Sequence, residues 1–546
     1  MTRVVHESDI CIIGSGITAA MVAHTLSART NARITVVEAG EEQPTVRDRF
    51  AHRQRWLDYG ESPWPRDHID GMTADGLQSR SMCVGGLAMH WGGVTPRWAP
   101  EDFKTKSLFG VGTDWPISYE ELDPWYQRAE EIIGVAGAQG PPELDPRGKP
   151  FPMPALPLSW NLERLKVWTD AAGVPMWSQP SAKNSLRYDG RAPCCRNDTC
   201  FPICPVGAKY SPDHTWDALR QQNRITLHTR TLIRRLELGG GRIERALGSR
   251  RDAKGTPVEY RAKQFVVAAG YAWSSWLLLS SAPDGLANRS GLVGKYLAGH
   301  RNVQAFVDLP IRLMPGINEQ HSLVTKFFMR APRTNNYVRH DLRVWESSVG
   351  REPRLRDGEG RLQLGDALLN EWRSRTARGT ARVRAYYDVI PDKHSELTLD
   401  ATQRSPFGDP LPKLAWRDDP TSATLRGPTE DYLKKLFGDL ARVGNGAVIR
   451  TAVDDFQDHP AGGCRMGVDP ATSVTDPHGR THDHENLWVV GAPQCVSASC
   501  ANGTLTFAAL ALRSADALVR EVGEVRPPAA RARRELQQLQ ERKELR

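Results

Sequence analysis

The sequence lacks any apolar run of about 18 residues, the length that a transmembrane helix requires. It also lacks a region of massed charge. Its 72 Lys and Arg residues against 64 Asp and Glu leave a net charge of +8, and the arginines are scattered. These absences argue against membrane insertion and against a nucleic-acid partner. A first buried strand is predicted by about residue 9, which leaves no room for a signal peptide. We therefore expect a cytoplasmic protein, with periplasmic export attached to a partner subunit as the alternative.

The composition is that of an ordinary globular protein, with 40% hydrophobic and 25% charged residues. A chain of 546 residues can bury a large core. Its length predicts one large unit or two to three interlocked domains.

The first motif lies in residues 9–20, where a short apolar run is followed by Gly14, Gly16 and Ala19. The run predicts a buried parallel strand, Gly14 a tight turn, and Gly16 a close approach of the backbone to a pyrophosphate. Ala19 takes the place of the third glycine, where helix and strand pack closely. A second apolar strand ends at Glu38, about where a ribose-binding carboxylate is expected. The pattern predicts a dinucleotide site at the start of a helix.

A glycine-rich stretch over residues 81–98 holds Gly86, His90, Trp91 and Gly93. Glycines let the backbone run close against a flat ligand. His90 could hydrogen-bond such a ligand, be joined to it covalently, or only be a packed histidine of a glycine-rich loop.

Two further apolar strands and two helices are predicted later in the chain. The strand predicted over 264–268 runs into Ala269, and the strand predicted over 487–490 runs into Gly491 and Ala492. A helix is predicted over 504–519, and a second one over 274–281 with serines as its caps.

Four of the nine cysteines lie close together: Cys194, Cys195, Cys200 and Cys204. In a chain without a secretion signal, such a cluster favours metal over disulfides. Cys204 is followed by proline, as in ferredoxin loops, and no histidine lies nearby until His214, which weakens a zinc site. An iron–sulfur cluster on Cys194, Cys200 and Cys204 is the prediction, with zinc, a disulfide or unligated thiols as alternatives. Cys195 could replace or supplement Cys194.

Taken together, these motifs resemble the glucose–methanol–choline (GMC) flavin oxidoreductases over nearly the full length, from residue 10 to about 520. The 115–119 segment, the His90-Trp91 pair and the cysteine loop are similar to one branch in particular. That branch holds the catalytic subunits of bacterial FAD-dependent gluconate, fructose and glucose dehydrogenases, and pyranose oxidases are more distant relatives.

The resemblance implies an α/β fold with a Rossmann-like FAD-binding domain and a second, mainly antiparallel substrate domain, as in p-hydroxybenzoate-hydroxylase-like proteins. We predict an FAD domain over 1–300, with the cysteine loop at 190–212. A substrate domain is predicted over 301–445, the C-terminal part of the FAD and catalytic domain over 446–522, and a charged tail over 523–546.

The resemblance also implies the site residues. His459 is the predicted base, and Asn502 orients the alcohol. The predicted FAD-binding residues are Gly14, Gly16, Ala19, Glu38, Gly86, His90, Trp91, Gly93, Ala269, Gly491, Ala492, Asn502 and Thr504. The family usually has proline after this asparagine, whereas the chain has Gly503, which loosens the turn that places Asn502.

The implied activity is oxidation of a hydroxyl of a sugar, glycoside or polyol by hydride transfer to flavin N5. Electrons then pass through a [3Fe–4S] cluster on Cys194, Cys200 and Cys204 to an electron-accepting partner, a small subunit or a cytochrome. The alternative is an oxidase of the pyranose-oxidase type that uses O2 and makes H2O2, in which the cysteines are structural.

Overall fold

The computed structural model describes residues 3–73, 77, 81–197, 199–252, 255–314, 321–330, 339–347 and 353–525. Their strands are β1 (Val4–Glu7), β2 (Ile10–Ile13), β3 (Ile34–Val37), β4 (Ala136–Gly137), β5 (Met153–Pro154), β6 (Trp177–Ser178), β7 (Thr226–His228), β8 (Thr231–Gly239), β9 (Arg242–Arg250), β10 (Pro257–Arg261), β11 (Gln264–Val267), β12 (Ala298–Leu309), β13 (Leu323–Thr325), β14 (Leu342–Ser347), β15 (Gly379–Asp388), β16 (Glu396–Arg404), β17 (Pro410–Ala415), β18 (Ala447–Ala461) and β19 (Leu487–Val489). The α-helices are α1 (Ile17–Arg29), α2 (Val46–Tyr59), α3 (Thr105–Phe109), α4 (Tyr119–Ile133), α5 (Trp160–Ala171), α6 (Asp213–Gln221), α7 (Gly270–Ser281), α8 (Phe327–Arg330), α9 (Gly365–Thr376), α10 (Pro420–Val443) and α11 (Thr504–Val522).

A five-stranded parallel sheet forms the first layer, in the order β19-β11-β2-β3-β7. Strands β2, β3, β11 and β19 are short apolar runs with every residue buried, which suits a parallel sheet covered on both faces. Helices α1 and α11 pack against each other beside it. The predicted Rossmann-like fold is confirmed.

A six-stranded sheet forms the second layer, in the order β18-β12-β15-β14-β13-β6, with every pair antiparallel. Helices α10 and α5 pack on it around a second core that includes Leu165, Val303 and Phe437. The predicted antiparallel second sheet is therefore also confirmed.

The predicted domain borders stay a prediction, but strand pairing does not follow them. Strand β18 follows the predicted border at 445 and yet pairs with β12 of the antiparallel sheet. The hairpin of β16 and β17 lies inside the predicted substrate domain and yet packs on α7, at the FAD-domain sheet. Of the predicted charged tail, residues 526–546 lie outside the described residues.

The helix predicted over 274–281 is wrong at its start. Helix α7 begins at Gly270, directly after β11, and no side chain caps its first turn. Ser275 is buried inside the helix, where its hydroxyl donates to the carbonyl of Tyr271 at 2.9 Å. The strand therefore turns into the helix through Ala269 and Gly270 (φ +77°), without the serine cap that the composition suggested.

Helix α11 begins at Thr504 as predicted and extends to Val522. In the described part of the chain, no helix combines the length and apolar character needed to cross a membrane.

Candidate active site

A cavity of about 710 Å³ extends from the carboxyl ends of the parallel strands to the antiparallel sheet. Most of the predicted site residues line it: Gly14, Gly16, Glu38, Gly86, His90, Trp91, Gly93, Ala269, His459, Ala492, Asn502 and Thr504. Ala19 and Gly491 do not line it. Ala19 is fully buried, and Gly491 lies against Thr18, which itself lines the cavity. The structure therefore brings these predicted residues to one cavity from segments that lie far apart in the chain.

The glycine turn after β2 leaves room for a ligand that carries phosphate. Gly14 has φ +101°, and a Cβ atom there would lie 2.6 Å from the carbonyl oxygen of Ala268. A Cβ atom on Gly16 would have no neighbour within 4 Å, although Gly86 of the second glycine-rich loop packs close by. No side chain caps the first turn of α1, so its N–H groups are free for an anion. This cradle fits a pyrophosphate.

Glu38 lies at the carboxyl end of β3, where its carboxylate already has three donors. Its Oε2 accepts from the backbone N–H and the hydroxyl of Ser15, at 3.0 and 2.6 Å, and its Oε1 accepts from Gly40 N–H at 2.8 Å. Burial raises the pKa of Glu38, and these hydrogen bonds oppose that rise. Oε1 keeps a lone pair for a further donor such as a ribose hydroxyl.

His90 lies beside the carboxylate of Asp67, at ion-pair distance. Its Nε2 is 3.1 Å from Oδ2 of Asp67. Burial would raise the pKa of Asp67, but the contacts with His90 and His68 lower it to about 2. An ionised Asp67 therefore faces the imidazole that the sequence marked for contact with the flavin.

The cysteine loop lies next to this segment. Cys200 and Cys204 are buried, Cys194 is partly buried and Cys195 is exposed. Burial raises the pKa of the Cys194 thiol, and the nearby Cys200 and Cys204 raise it further. The nine cysteines form no disulfide.

The sulfur atoms do not gather around a single point. In the ranges that the structure describes, the one set of three His, Cys, Asp or Glu ligand atoms within 4.8 Å of one another is His300, Asp458 and His459. A single zinc ion needs its thiolates close together, whereas each thiolate of an iron–sulfur cluster binds a different iron. The described positions of these thiols therefore do not favour a single zinc ion.

One buried ammonium group joins the cysteine loop to the glycine-rich stretch over residues 81–98. Lys209 donates to the carbonyl oxygens of Met89 at 3.3 Å, Trp91 at 2.5 Å and Cys200 at 2.7 Å. Burial lowers the pKa of Lys209 to about 8, and the nearby Cys204 and Cys200 oppose that effect. We call this residue with its three carbonyls the Lys209 bridge.

The other end of the cavity holds His459 and Asn502. Nδ2 of Asn502 lies 2.7 Å from Nε2 of His459, and the guanidinium of Arg343 donates to Oδ1 of Asn502. Since a guanidinium can only donate, the asparagine must turn its NH2 group toward the histidine. A Cβ atom at position 503 would lie 2.4 Å from the ring of Phe507, so a larger residue there needs that ring to shift. The side chain of Asn502 is held by its contacts with His459 and Arg343.

Sequence reasoning missed five residues around this pair. They come from strands of the antiparallel sheet: His300 of β12, Arg343 of β14, Arg384 and Tyr386 of β15, and Asp458 of β18. His300 and Asp458 are register partners. Strand pairing brings these two residues together although more than a hundred residues of chain separate them. Of the five, only Asp458 could have been suspected from the sequence, because it directly precedes His459.

Asp458 is the acidic partner of His459. Its Oδ1 accepts from the backbone N–H of His459 at 2.9 Å, and its Oδ2 accepts from the hydroxyl of Tyr386 at 2.7 Å. Oδ2 lies 3.5 Å from Nδ1 of His459. Burial would raise the pKa of Asp458, but the two neighbouring histidines and Tyr386 hold it well below its usual range.

His459 is a neutral imidazole near neutral pH. Burial lowers its pKa, Asp458 opposes this effect, and Arg343 and Arg384 lower the pKa further. Its side chain is 22% exposed and lines the cavity, so a substrate can reach it. Its backbone has φ +50°, a left-handed conformation that is uncommon for a residue with a side chain.

The fold and the cavity indicate a dinucleotide-binding protein whose cavity ends at a histidine beside an asparagine. A family model described as GMC oxidoreductase matches residues 391–511. The fructose dehydrogenase large subunit of Gluconobacter japonicus is 29% identical, over 94% of this chain and 98% of that protein. The paromamine 6'-oxidase of Streptomyces fradiae is also 29% identical, over 93% and 91%. The crystal structure of pyridoxine 4-oxidase from Mesorbium loti has the same fold, with a TM-score of 0.56 and 18% identity over 94% of this chain and 99% of that one.

The chain is therefore similar to the GMC oxidoreductases, and the resemblance predicted from its motifs is confirmed. It is an oxidoreductase acting on CH–OH groups, and the family implies FAD as its cofactor. The open space at Gly16, the uncapped α1 and the free lone pair of Glu38 fit that cofactor.

Proposed function

We propose that the protein is an FAD-dependent dehydrogenase that oxidises a hydroxyl of a sugar, glycoside or polyol and delivers the electrons singly, through a [3Fe–4S] cluster, to a protein acceptor. The observation that carries the reaction is the His459–Asn502 pair at the end of the cavity, with Nε2 and Nδ2 2.7 Å apart. The likeness to a fructose dehydrogenase large subunit supports a sugar substrate and a partner subunit.

His459, Asn502 and Asp458 together bind the substrate hydroxyl and take up its proton. A substrate hydroxyl that enters between His459 and Asn502 donates to the bare Nε2 and accepts from the asparagine NH2 group. Neutral His459 takes the hydroxyl proton, and general-base help of this kind is worth about 10²–10⁴-fold in rate. Bound FAD would supply the acceptor for the hydride that leaves the carbon bearing this hydroxyl. The ionised Asp458 then lies close to the imidazolium and stabilises its charge.

The cluster is proposed on Cys194, Cys200 and Cys204. Its support is the burial of Cys200 and Cys204, the presence of all three thiols in one loop, and the Lys209 bridge to the glycine-rich stretch over residues 81–98. A bound cluster would accept electrons one at a time and give them a route to the surface. We propose a cytoplasmic location, or the periplasm if a partner subunit carries the chain across the membrane.

The second candidate is a sugar or glycoside oxidase that uses O2. The likeness to paromamine 6'-oxidase at 29% identity favours it. It requires no cluster, and it predicts hydrogen peroxide on turnover in air.

Iron, acid-labile sulfide and EPR on anaerobically purified protein test the two candidates directly. We expect about three irons per flavin and an EPR signal in the oxidised state. Protein that holds FAD without iron and produces peroxide from sugars would refute the dehydrogenase and establish the oxidase.

A cysteine variant then tests the route of the electrons. We expect Cys200→Ser to keep anaerobic flavin reduction by sugar, followed in stopped flow, and to lose electron transfer to an external one-electron acceptor. Cys464→Ser is the matched control, because Cys464 is a buried thiol outside the loop. If Cys200→Ser abolished flavin reduction itself, the loop would be a structural element.

A further inference from the structure

His300 is a buried histidine that the proposed reaction does not yet use. It lies on β12 with no exposed surface. Its Nδ1 is 3.0 Å from the carbonyl oxygen of Ser499, and its Nε2 is 2.9 Å from Nδ1 of His459. Its ring packs 4.2 Å from that of Tyr386. Both nitrogens therefore have one partner each, and the ring is fixed between them.

The four contacts run from the Ser499 carbonyl through His300 and His459 to Asn502 and Arg343. The groups at the two ends determine which ring nitrogen of each histidine carries a proton. The Ser499 carbonyl can only accept, so Nδ1 of a neutral His300 carries the proton and Nε2 is bare. A bare Nε2 must accept from His459, which places the proton of His459 on Nδ1. Nε2 of His459 is then bare and accepts from Asn502, whose orientation Arg343 fixes independently. One arrangement satisfies all four contacts.

We propose that His300 is a positioning residue that keeps the proton of His459 on Nδ1, so that Nε2 stays free to take the proton of the substrate hydroxyl. This inference rests on the proposed function. In the opposite tautomer, Nε2 of His459 would carry a proton and could not act as the base.

The surroundings keep His300 in this role across the working pH range. Burial, followed by the proximity of His459, lowers the pKa of His300 to about 3, while Asp458 and the Ser499 carbonyl oppose this. Arg343 adds to the lowering. Asp458 lies 3.5 Å from Nδ1 of His459, so a proton taken from substrate remains on His459 beside that carboxylate. His300 stays neutral and directs the hydrogen bond.

Nitrogen NMR of the flavin-loaded enzyme, with ¹⁵N-labelled histidine, tests the assignment without any substrate. We expect His459, identified by comparison with His459→Asn, to show a protonated Nδ1 and a bare Nε2. A protonated Nε2 in the wild-type enzyme would overturn the proposal. Because this measurement needs no sugar, it separates the role of His300 from the proposed activity, which fails if no sugar reduces the flavin.

Anaerobic flavin reduction, with D-fructose as the first sugar, tests whether His300 affects the rate at which His459 acts as the base. In His300→Phe we expect the rate constant of reduction to fall about 10-fold or more, with the substrate Kd within about 3-fold, since the change acts through the base. The carbonyl of His300→Gln can accept from Nδ1 of His459 and should restore part of the rate. If His300→Phe loses its flavin, the His300→Gln variant and the wild-type NMR spectrum still test the positioning role of His300.

His321→Phe is the matched control. His321 is a buried histidine next to the same sheet, with Nε2 2.7 Å from the hydroxyl of Ser178, and it does not line the cavity. We expect this variant to reduce its flavin within about 2-fold of the wild-type rate. An equal loss in both variants would indicate a packing effect and refute the positioning role.

Discussion

Replacing Asp458 by asparagine tests how the cavity sets the proton affinity of His459. The substitution removes a charge that lies 3.5 Å from Nδ1 of His459, while it keeps the shape of the side chain. A carboxylate at this distance raises the pKa of a histidine by about 1 to 3 units, and the partial exposure of the ring favours the lower end. We therefore expect the pKa of His459 to fall in Asp458→Asn.

The direction in which the pH profile of flavin reduction moves follows from the role of His459 as the base. His459 works only as the neutral imidazole, and its pKa is already below 6.5 because of burial, so flavin reduction should be flat near pH 7 and decline toward acid. In Asp458→Asn the acid decline moves to lower pH, and the plateau rate falls several-fold because a weaker base is a poorer catalyst.

The assay is anaerobic stopped-flow reduction of the bound flavin across a pH series. Arg384→Gln is the opposite perturbation, because Arg384 lowers the pKa of His459, so its acid decline should move to higher pH. If the acid decline stays in place in both variants, a group other than His459 controls the reaction, and the reasoning is refuted.

Three further predictions concern binding and stability. Gly14→Ala should lower the thermal unfolding midpoint by several degrees, because the new Cβ would contact the Ala268 carbonyl. A Cβ at position 16 has open space around it, so Gly16→Ala should leave the apoprotein stable and weaken only FAD binding. Calorimetry measures the first effect and flavin titration the second. Lys209→Met should lower the flavin and iron contents together, because the Lys209 bridge donates to both loops, and loss of one cofactor alone would contradict a shared role. Burial lowers the pKa of His321 to about 3, so neutral His321 contributes fully to the free energy of unfolding above pH 6.5. This contribution is lost as the pH falls from 6.5 toward 3, by at most about 1.4 kcal/mol per pH unit. Denaturant titrations of His321→Gln should therefore show a shallower acid dependence of the unfolding free energy than those of the wild type.

The parts of the site that were predictable from sequence are those that local chain geometry determines. Gly14, Gly16 and Glu38 belong to a strand, turn, helix and strand whose spacing is set within 30 residues. His459 and Asn502 were found through the resemblance of their segments to a known family. All five line the cavity.

The residues that escaped prediction act through pairing between distant strands. His300, Arg384 and Asp458 lie on β12, β15 and β18, and only the register of these strands brings them to one point. Sequence alternation shows which residues share a face, but it does not show which strands are neighbours. The start of α7 was missed for a related reason, because a helix held by the sheet needs no capping side chain.

The left-handed backbone of His459 carries a consequence for the evolution of this protein. A residue with a side chain at φ +50° costs the fold about 1 to 3 kcal/mol relative to a relaxed conformation, and glycine would remove most of that cost. A selection for thermal stability alone would therefore favour glycine at position 459 and eliminate the base. The histidine persists there only under selection for turnover, so a screen that scores heat resistance and sugar oxidation separately should find these two properties in conflict at this position.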